Sequence, residues 1–213
     1  MEKEAVIFDL DGVICSTDEY HYVAWKKIAD RIGIHFDREI NNQLRGISRL
    51  DSLQIILDQD PLQKWSWQEK ESLAEEKNNI YQELLKNITP DDTLPGVRET
   101  LAALRKKGKK LGIGSSSRNT MIILRRLQLD HAFDVVVDGN QITHCKPDPE
   151  VYLKAAEKLH VEPSEAVIVE DAVSGAEAGY RGGFSVMCVG DAAKKYAGDC
   201  NLSDIRACAD IVN

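Results

Sequence analysis

The chain of 213 residues is 43% hydrophobic and 29% charged, with a net charge of −8 at pH 7, and is long enough for one full domain plus a smaller one. Basic residues are interspersed with acidic ones and no apolar run approaches the ~20 residues that span a bilayer, so neither nucleic acid nor membrane is expected as a partner. The five cysteines are odd in number and form no Cys-x-x-Cys pair; with an N-terminus unlike a signal peptide, this points to a reduced, cytoplasmic setting without a disulfide or zinc framework.

The first predicted strand, residues 5–9, is an apolar run that ends on Asp9, with Asp11 two residues on and Gly12 behind it. Residues 17–88 then show helical periodicity and no strand. His21, Trp25, Ile28 and Ile32 share one helix face, with Gly33 as a stop. Leu73, Lys77, Ile80, Leu84 and Ile88 repeat that spacing further on. Beyond Pro95-Gly96 a helix over 97–107 is closed by Gly108. Strands are predicted at 110–115, 134–138, 166–170 and 185–189, separated by helices at 119–127, 149–159 and 174–180, the last opened by Ser174 as an N-cap. Uninterrupted apolar runs alternating with helices predict a doubly wound, mainly parallel, Rossmann-like α/β sheet covered on both faces. Residues 1–16 and 89–213 are therefore expected to form an α/β core, and 17–88 a helical cap inserted after the first strand.

Ligands of open α/β sheets bind at the carboxyl ends of the strands. That rule gathers Asp9 and Asp11 from the first strand and Ser115-Ser116-Ser117 from the second. Lys146-Pro147-Asp148-Pro149 follows the third strand, and Glu170-Asp171 ends the fourth. Each has an ordinary reading alone: a solvated pair, a cap, a turn, a surface acid. Four such groups at successive strand ends make a site. Clustered carboxylates repel unless a cation intervenes, and an all-oxygen cluster suits Mg²⁺. With Lys146 and a hydroxyl beside it, one carboxylate can act as nucleophile toward phosphorus.

These four segments resemble, in order and across the whole chain, the motifs of the haloacid dehalogenase superfamily. The resemblance implies that Asp9 is the nucleophile and Asp11 the general acid/base. Ser115 and Lys146 would hold the transferring phosphoryl group, and Asp9, Asp11 through its backbone, Glu170 and Asp171 would hold Mg²⁺. Within that superfamily, the stretch from Thr17 to Lys26, Leu44-Arg45-Gly46-Ile47-Ser48-Arg49 with Ser52 behind it, and Ser117-Arg118-Asn119 are similar to the β-phosphoglucomutase family. That similarity implies a phosphomutase, a small sugar-phosphate substrate and a monomeric chain. It puts Arg49 on the phosphate that is not transferred, and couples His21 to the acid/base aspartate. Thr17, Trp25, Gly46, Ile47, Ser48, Ser52, Lys77, Ser115, Ser116, Ser117, Arg118, Asn119 and Lys146 would complete the substrate site. Read from the residues alone, His21 and Trp25 could simply pack, and the Lys77 stem could lie on its apolar face with the ammonium in water. Ser16 stands where many relatives carry an aspartate, which removes a charge beside the hinge. A capped phosphatase acting on a small phosphate ester shares every core residue. A Mg²⁺-dependent phosphoacceptor module is a more distant alternative, disfavoured by the large insertion.

Overall fold

The computed structural model describes residues 1–44, 47–62 and 64–213. They form two compact units, Met1–Ser16 with Thr89–Asn213, and Thr17–Ile88.

The first unit is an α/β sandwich. Strands β1 (Ala5–Phe8), β2 (Lys110–Gly114), β3 (Val135–Val137), β4 (Ala166–Glu170), β5 (Ser185–Cys188) and β6 (Cys200–Asn201) build one parallel sheet in the order β3-β2-β1-β4-β5-β6. Chain order reverses at β1, the kind of switch point where open sheets bind ligands. Register makes this concrete: Phe8 lies beside Ile113 on one side and Val169 on the other. The residues that follow, Asp9, Ser115 and Glu170, therefore emerge at one edge of the sheet.

The strands are apolar on both faces because helices cover both. In helix α7 (Glu150–Leu159), Val151, Tyr152, Ala155 and Leu159 pack on Ala5, Ile7, Val137 and Ile168. Helix α8 (Val173–Arg181) places Ala176 with Val186 and Cys188 of β5 and Ala192 of α9 (Gly190–Lys194). Helix α5 (Val97–Lys106) packs with α10 (Arg206–Ile211), and α6 (Thr120–Arg126) follows β2.

Two features of this unit differ from the sequence expectation. Strand β6 is an addition to it, since a two-residue strand carries no pattern to read. Ser174 does not cap α8: the helix opens one residue earlier, after Ala172, and the N–H groups of Asp171 and Ala172 go instead to the Glu170 carboxylate at 2.9 and 3.0 Å.

The second unit consists of α1 (Asp18–Ile32), α2 (Arg38–Asn42), α3 (Arg49–Leu57) and α4 (Trp67–Leu85). Its helices begin and end on local signals. Asp37, Ser48 and Ser66 cap α2, α3 and α4, the last in a reciprocal capping box with Glu69, and Gly33 closes α1 at φ 74°. Trp25, Ile28, Phe36, Leu53, Ile56 and Leu73 fill its core. The buried face of α4 runs Leu73, Lys77, Tyr81 and Leu85, one residue round from the expected Ile80 and Leu84, which are only half-buried.

Candidate active site

Asp9 prolongs β1, its N–H bonded to the Val169 carbonyl at 2.9 Å. Lys146, from the loop before α7, sends its ammonium to Asp9 Oδ1 at 2.6 Å and to Glu170 Oε1 at 2.5 Å. Both ends of these ion pairs are buried, the Lys146 and Glu170 side chains being 3% and 1% exposed. Glu170 accepts at both oxygens: Oε1 also takes the Tyr152 hydroxyl at 2.7 Å, while Oε2 takes the N–H groups of Asp171 and Ala172, just before α8. Asp11 lies in the turn after β1, in a bridge to Cys15, and its charge is felt at both Asp9 and Asp171.

The turn after β2 is built on its own hydroxyls. Ser115 is buried and its Oγ accepts the Ser117 N–H at 3.2 Å, and the Ser117 Oγ in turn accepts the Asn119 N–H at 3.2 Å. Asn119 is buried, Arg118 is exposed, and the Ser116 Oγ is buried without a hydrogen-bond partner among the described residues.

Electrostatics separates these groups. Burial lifts Asp9 to about 7, with Lys146 pulling the other way and Glu170 and Asp11 adding repulsion. Asp171 rises to about 8, first through burial and then through Glu170, Asp9 and Asp11. Burial works against the Lys146 ammonium, but Asp9 and Glu170 outweigh it and hold the charge on. One lysine thus faces four carboxyl groups, and the excess negative charge asks for a further cation. The carboxylate oxygens of Asp9, Glu170 and Asp171 offer ligand atoms within 4.8 Å of one another, a hard, all-oxygen donor set that fits Mg²⁺. Two glycines make room for it. A Cβ on Gly12, whose φ is +81°, would fall 2.1 Å from Asp171 Oδ2, and one on Gly175 would fall 1.7 Å from Glu170 Oε1.

In the helical unit the expected residues form two groups. Thr17 is buried before α1 and accepts the Tyr81 hydroxyl at 2.9 Å. His21 stacks on Tyr81 with ring centroids 4.2 Å apart, and its Nδ1 lies 2.8 Å from Lys77 Nζ. Lys77 is 3% exposed, with its ammonium 4.9 and 4.6 Å from the Trp25 and Tyr81 ring centres. This corrects the picture of a stem on the surface with its charge in water: the ammonium is enclosed by two aromatic faces and an imidazole. Burial, then the Lys77 and Arg49 charges, hold His21 well below its ordinary pKa, so it is neutral and its Nδ1 accepts from Lys77. Trp25 is part of the unit's core and one wall of this lysine site. The second group is at the start of α3, where Ser48 caps the helix, Ser52 is buried one turn in, and Ile47 precedes the cap. Arg49 extends half-buried, one guanidinium nitrogen on Asn78 Oδ1 at 2.9 Å. Gly46 lies outside the described residues.

Sequence reasoning does not single out Tyr152, Tyr81, Asn78 or the crowded Gly175. Tyr152 does carry a signal: a phenol on an otherwise aliphatic helix face needs a polar partner when buried.

A sequence model of the family described as haloacid dehalogenase-like hydrolase matches residues 6–189. The chain is 45% identical over 188 residues to a β-phosphoglucomutase of Bacillus subtilis (strain 168), covering 88% of this chain and 83% of the relative. It is 36% identical to a phosphorylated carbohydrates phosphatase of Thermotoga maritima, covering 85% and 82%. Among solved structures, a β-phosphoglucomutase from Clostridium difficile superposes with a TM-score of 0.89 at 36% identity, over 96% of this chain and 92% of that one.

Proposed function

This chain belongs to the haloacid dehalogenase-like hydrolase family, and as a member of it we propose that it is a β-phosphoglucomutase, interconverting β-D-glucose 1-phosphate and D-glucose 6-phosphate. The reading rests chiefly on one observation: Asp9 shares a buried lysine with Glu170 at the switch point of the sheet, in a chain 45% identical to a β-phosphoglucomutase.

Asp9 carries the phosphoryl group as an aspartyl phosphate. The free sugar hydroxyl attacks phosphorus, the bond to Asp9 Oδ breaks, and Asp11 takes the hydroxyl proton, leaving β-glucose 1,6-bisphosphate. The bisphosphate turns round, Asp9 attacks its other phosphorus, and Asp11 returns the proton to the departing sugar oxygen. Two phosphates must be held at once. Lys146 and Ser115 meet the transferring group, and Arg49, steadied by Asn78, meets the other in the bidentate manner that suits a guanidinium. Asp9, Glu170, Asp171 and the main chain of Asp11 would hold Mg²⁺, which supplies charge neutralisation for the phosphoryl oxygens. His21 is neutral and held at Nδ1 by Lys77, so its proton sits on Nε2. Water excluded from phospho-Asp9 keeps the intermediate for the sugar.

A second reading, a sugar-phosphate phosphatase, is favoured by the 36% identity to the Thermotoga phosphatase. The two part on the acceptor: water for the phosphatase, a sugar hydroxyl for the mutase. Incubation with Mg²⁺, a trace of hexose bisphosphate and β-glucose 1-phosphate separates them, since glucose 6-phosphate supports the mutase and inorganic phosphate alone the phosphatase.

A further inference from the structure

Tyr152 is a buried, chemistry-bearing side chain for which the proposed reaction has no task. It is fully enclosed on α7, and its ring is wedged so closely on β2 that a Cβ on Gly114 would fall 2.7 Å from it. Its hydroxyl donates to Glu170 Oε1 at 2.7 Å, the same oxygen that receives Lys146 at 2.5 Å. Its ring face lies 4.7 Å from the Lys146 ammonium. One side chain therefore touches both ends of the Lys146–Glu170 pair, the carboxylate through its hydroxyl and the ammonium through its π face.

We propose that Tyr152 is a positioning residue of the active site, holding Glu170 and Lys146 in place while Asp9 exchanges partners. The Lys146 ammonium has three N–H donors, of which Asp9 and Glu170 take two. When Asp9 is phosphorylated, the Asp9 contact must loosen and the ammonium must turn toward the phosphoryl oxygens. Without a second donor on Glu170 Oε1, that oxygen has only Lys146 to answer its charge, and the lysine is drawn toward Glu170 and away from phosphorus. The phenol shares that oxygen, and the ring face gives the ammonium a second attraction that does not depend on Asp9. Glu170 also belongs to the carboxylate group suited to Mg²⁺, so a loosened Glu170 weakens the metal site as well. Outer partners of metal-site carboxylates are commonly worth roughly 10–100-fold in affinity.

The proposal depends on Asp9, Lys146 and Glu170 being the reacting centre, not on which sugar is used. The test is Tyr152→Phe, which keeps the ring against Gly114 and Lys146 and removes only the hydroxyl. Phe184→Leu serves as a packing control, because Phe184 meets Tyr152 edge to face at 6.3 Å and has no polar group to offer the site. Mg²⁺ affinity is measured by calorimetry on EDTA-treated protein. Separately, kcat and KM are measured on the substrate that the wild type turns over, whether sugar phosphate or a simple phosphate ester. Tyr152→Phe should weaken Mg²⁺ on the order of ten-fold and lower kcat by a similar factor with KM unchanged. Phe184→Leu should lower Tm and leave both affinity and kcat near wild type. If Tyr152→Phe lowers Tm alone, or binds Mg²⁺ as tightly as the wild type, the residue is packing only and the proposal falls. A wild type without mutase activity would overturn the sugar assignment, and the Mg²⁺ comparison would still decide the role of Tyr152.

Discussion

Asp9 and Asp11 stand two residues apart and carry different tasks in the proposed reaction. Asp9 is the one with Lys146 at 2.6 Å, so its charge is answered where it meets phosphorus. Asp9→Asn keeps the shape and removes the nucleophile; circular dichroism should be unchanged and turnover lost, and retained mutase activity would sink the assignment. Asp11→Asn should cost about 10²–10⁴-fold in kcat, the usual worth of a placed acid/base, and a near-normal rate would reject that role. Arg49 separates the two functional readings. Arg49→Ala should damage isomerisation far more than hydrolysis of a phosphate ester without a second anion, and equal losses would count against two phosphate subsites. Asp9, Asp11 and Lys146 are legible in the sequence because each is an exception to its surroundings, acids and a lysine at apolar strand ends, whereas Arg49 is found only through the family resemblance. Tyr152 and Lys77 are harder to read. A tyrosine on an apolar helix face and a lysine in an amphipathic helix both have ordinary readings, and only the position of their partners reveals the contact.

At the scale of elements, the β1–β4 register and the opening of α8 fix the position of Glu170. The turn from β4 into α8 is held by the glutamate that ends the strand, through the N–H groups of Asp171 and Ala172, so one carboxylate shapes that turn and pairs with a lysine. Gly175, in the first turn of α8, is what lets the helix pass so close. Gly175→Ala should force that turn off Glu170, with a loss of about 1–3 kcal/mol of stability by overpacking and a weaker response to Mg²⁺; a variant as stable and as Mg²⁺-responsive as the wild type would show that the contact is slack. The parallel strands and most helices are readable from apolar runs and 3.6-residue periodicity. The rest is not. Strand β6 is two residues long, and α8 begins after Ala172 with no side-chain cap, the turn before it being held by Glu170, which no local pattern encodes.

For the molecule as a whole, the unbalanced carboxylates tie stability to pH and metal. Without Mg²⁺ the folded protein holds Asp9 at about 7 and Asp171 at about 8, against roughly 3.9 for an unfolded aspartate. Between those limits these two groups hold more protons in the folded state than in the unfolded chain; His21, kept neutral, works the other way below its ordinary value of about 6.5, but two groups outweigh one, so stability falls as pH rises from about 4 to about 8 and then levels. Glu150 and Asp204, held down at about 2 by Lys154 and Arg206, titrate below this window. In EDTA, Tm should therefore decline from pH 5 to pH 8.5, and the rise in Tm on adding Mg²⁺ should grow across the same range. A Mg²⁺ effect that is largest at pH 5 would contradict the shared carboxylate site. The central claim is tested most directly by supplying Mg²⁺, a trace of β-glucose 1,6-bisphosphate, and β- or α-glucose 1-phosphate in separate reactions. Glucose 6-phosphate formed from the β anomer alone is the predicted result; inorganic phosphate without glucose 6-phosphate from either anomer would contradict it.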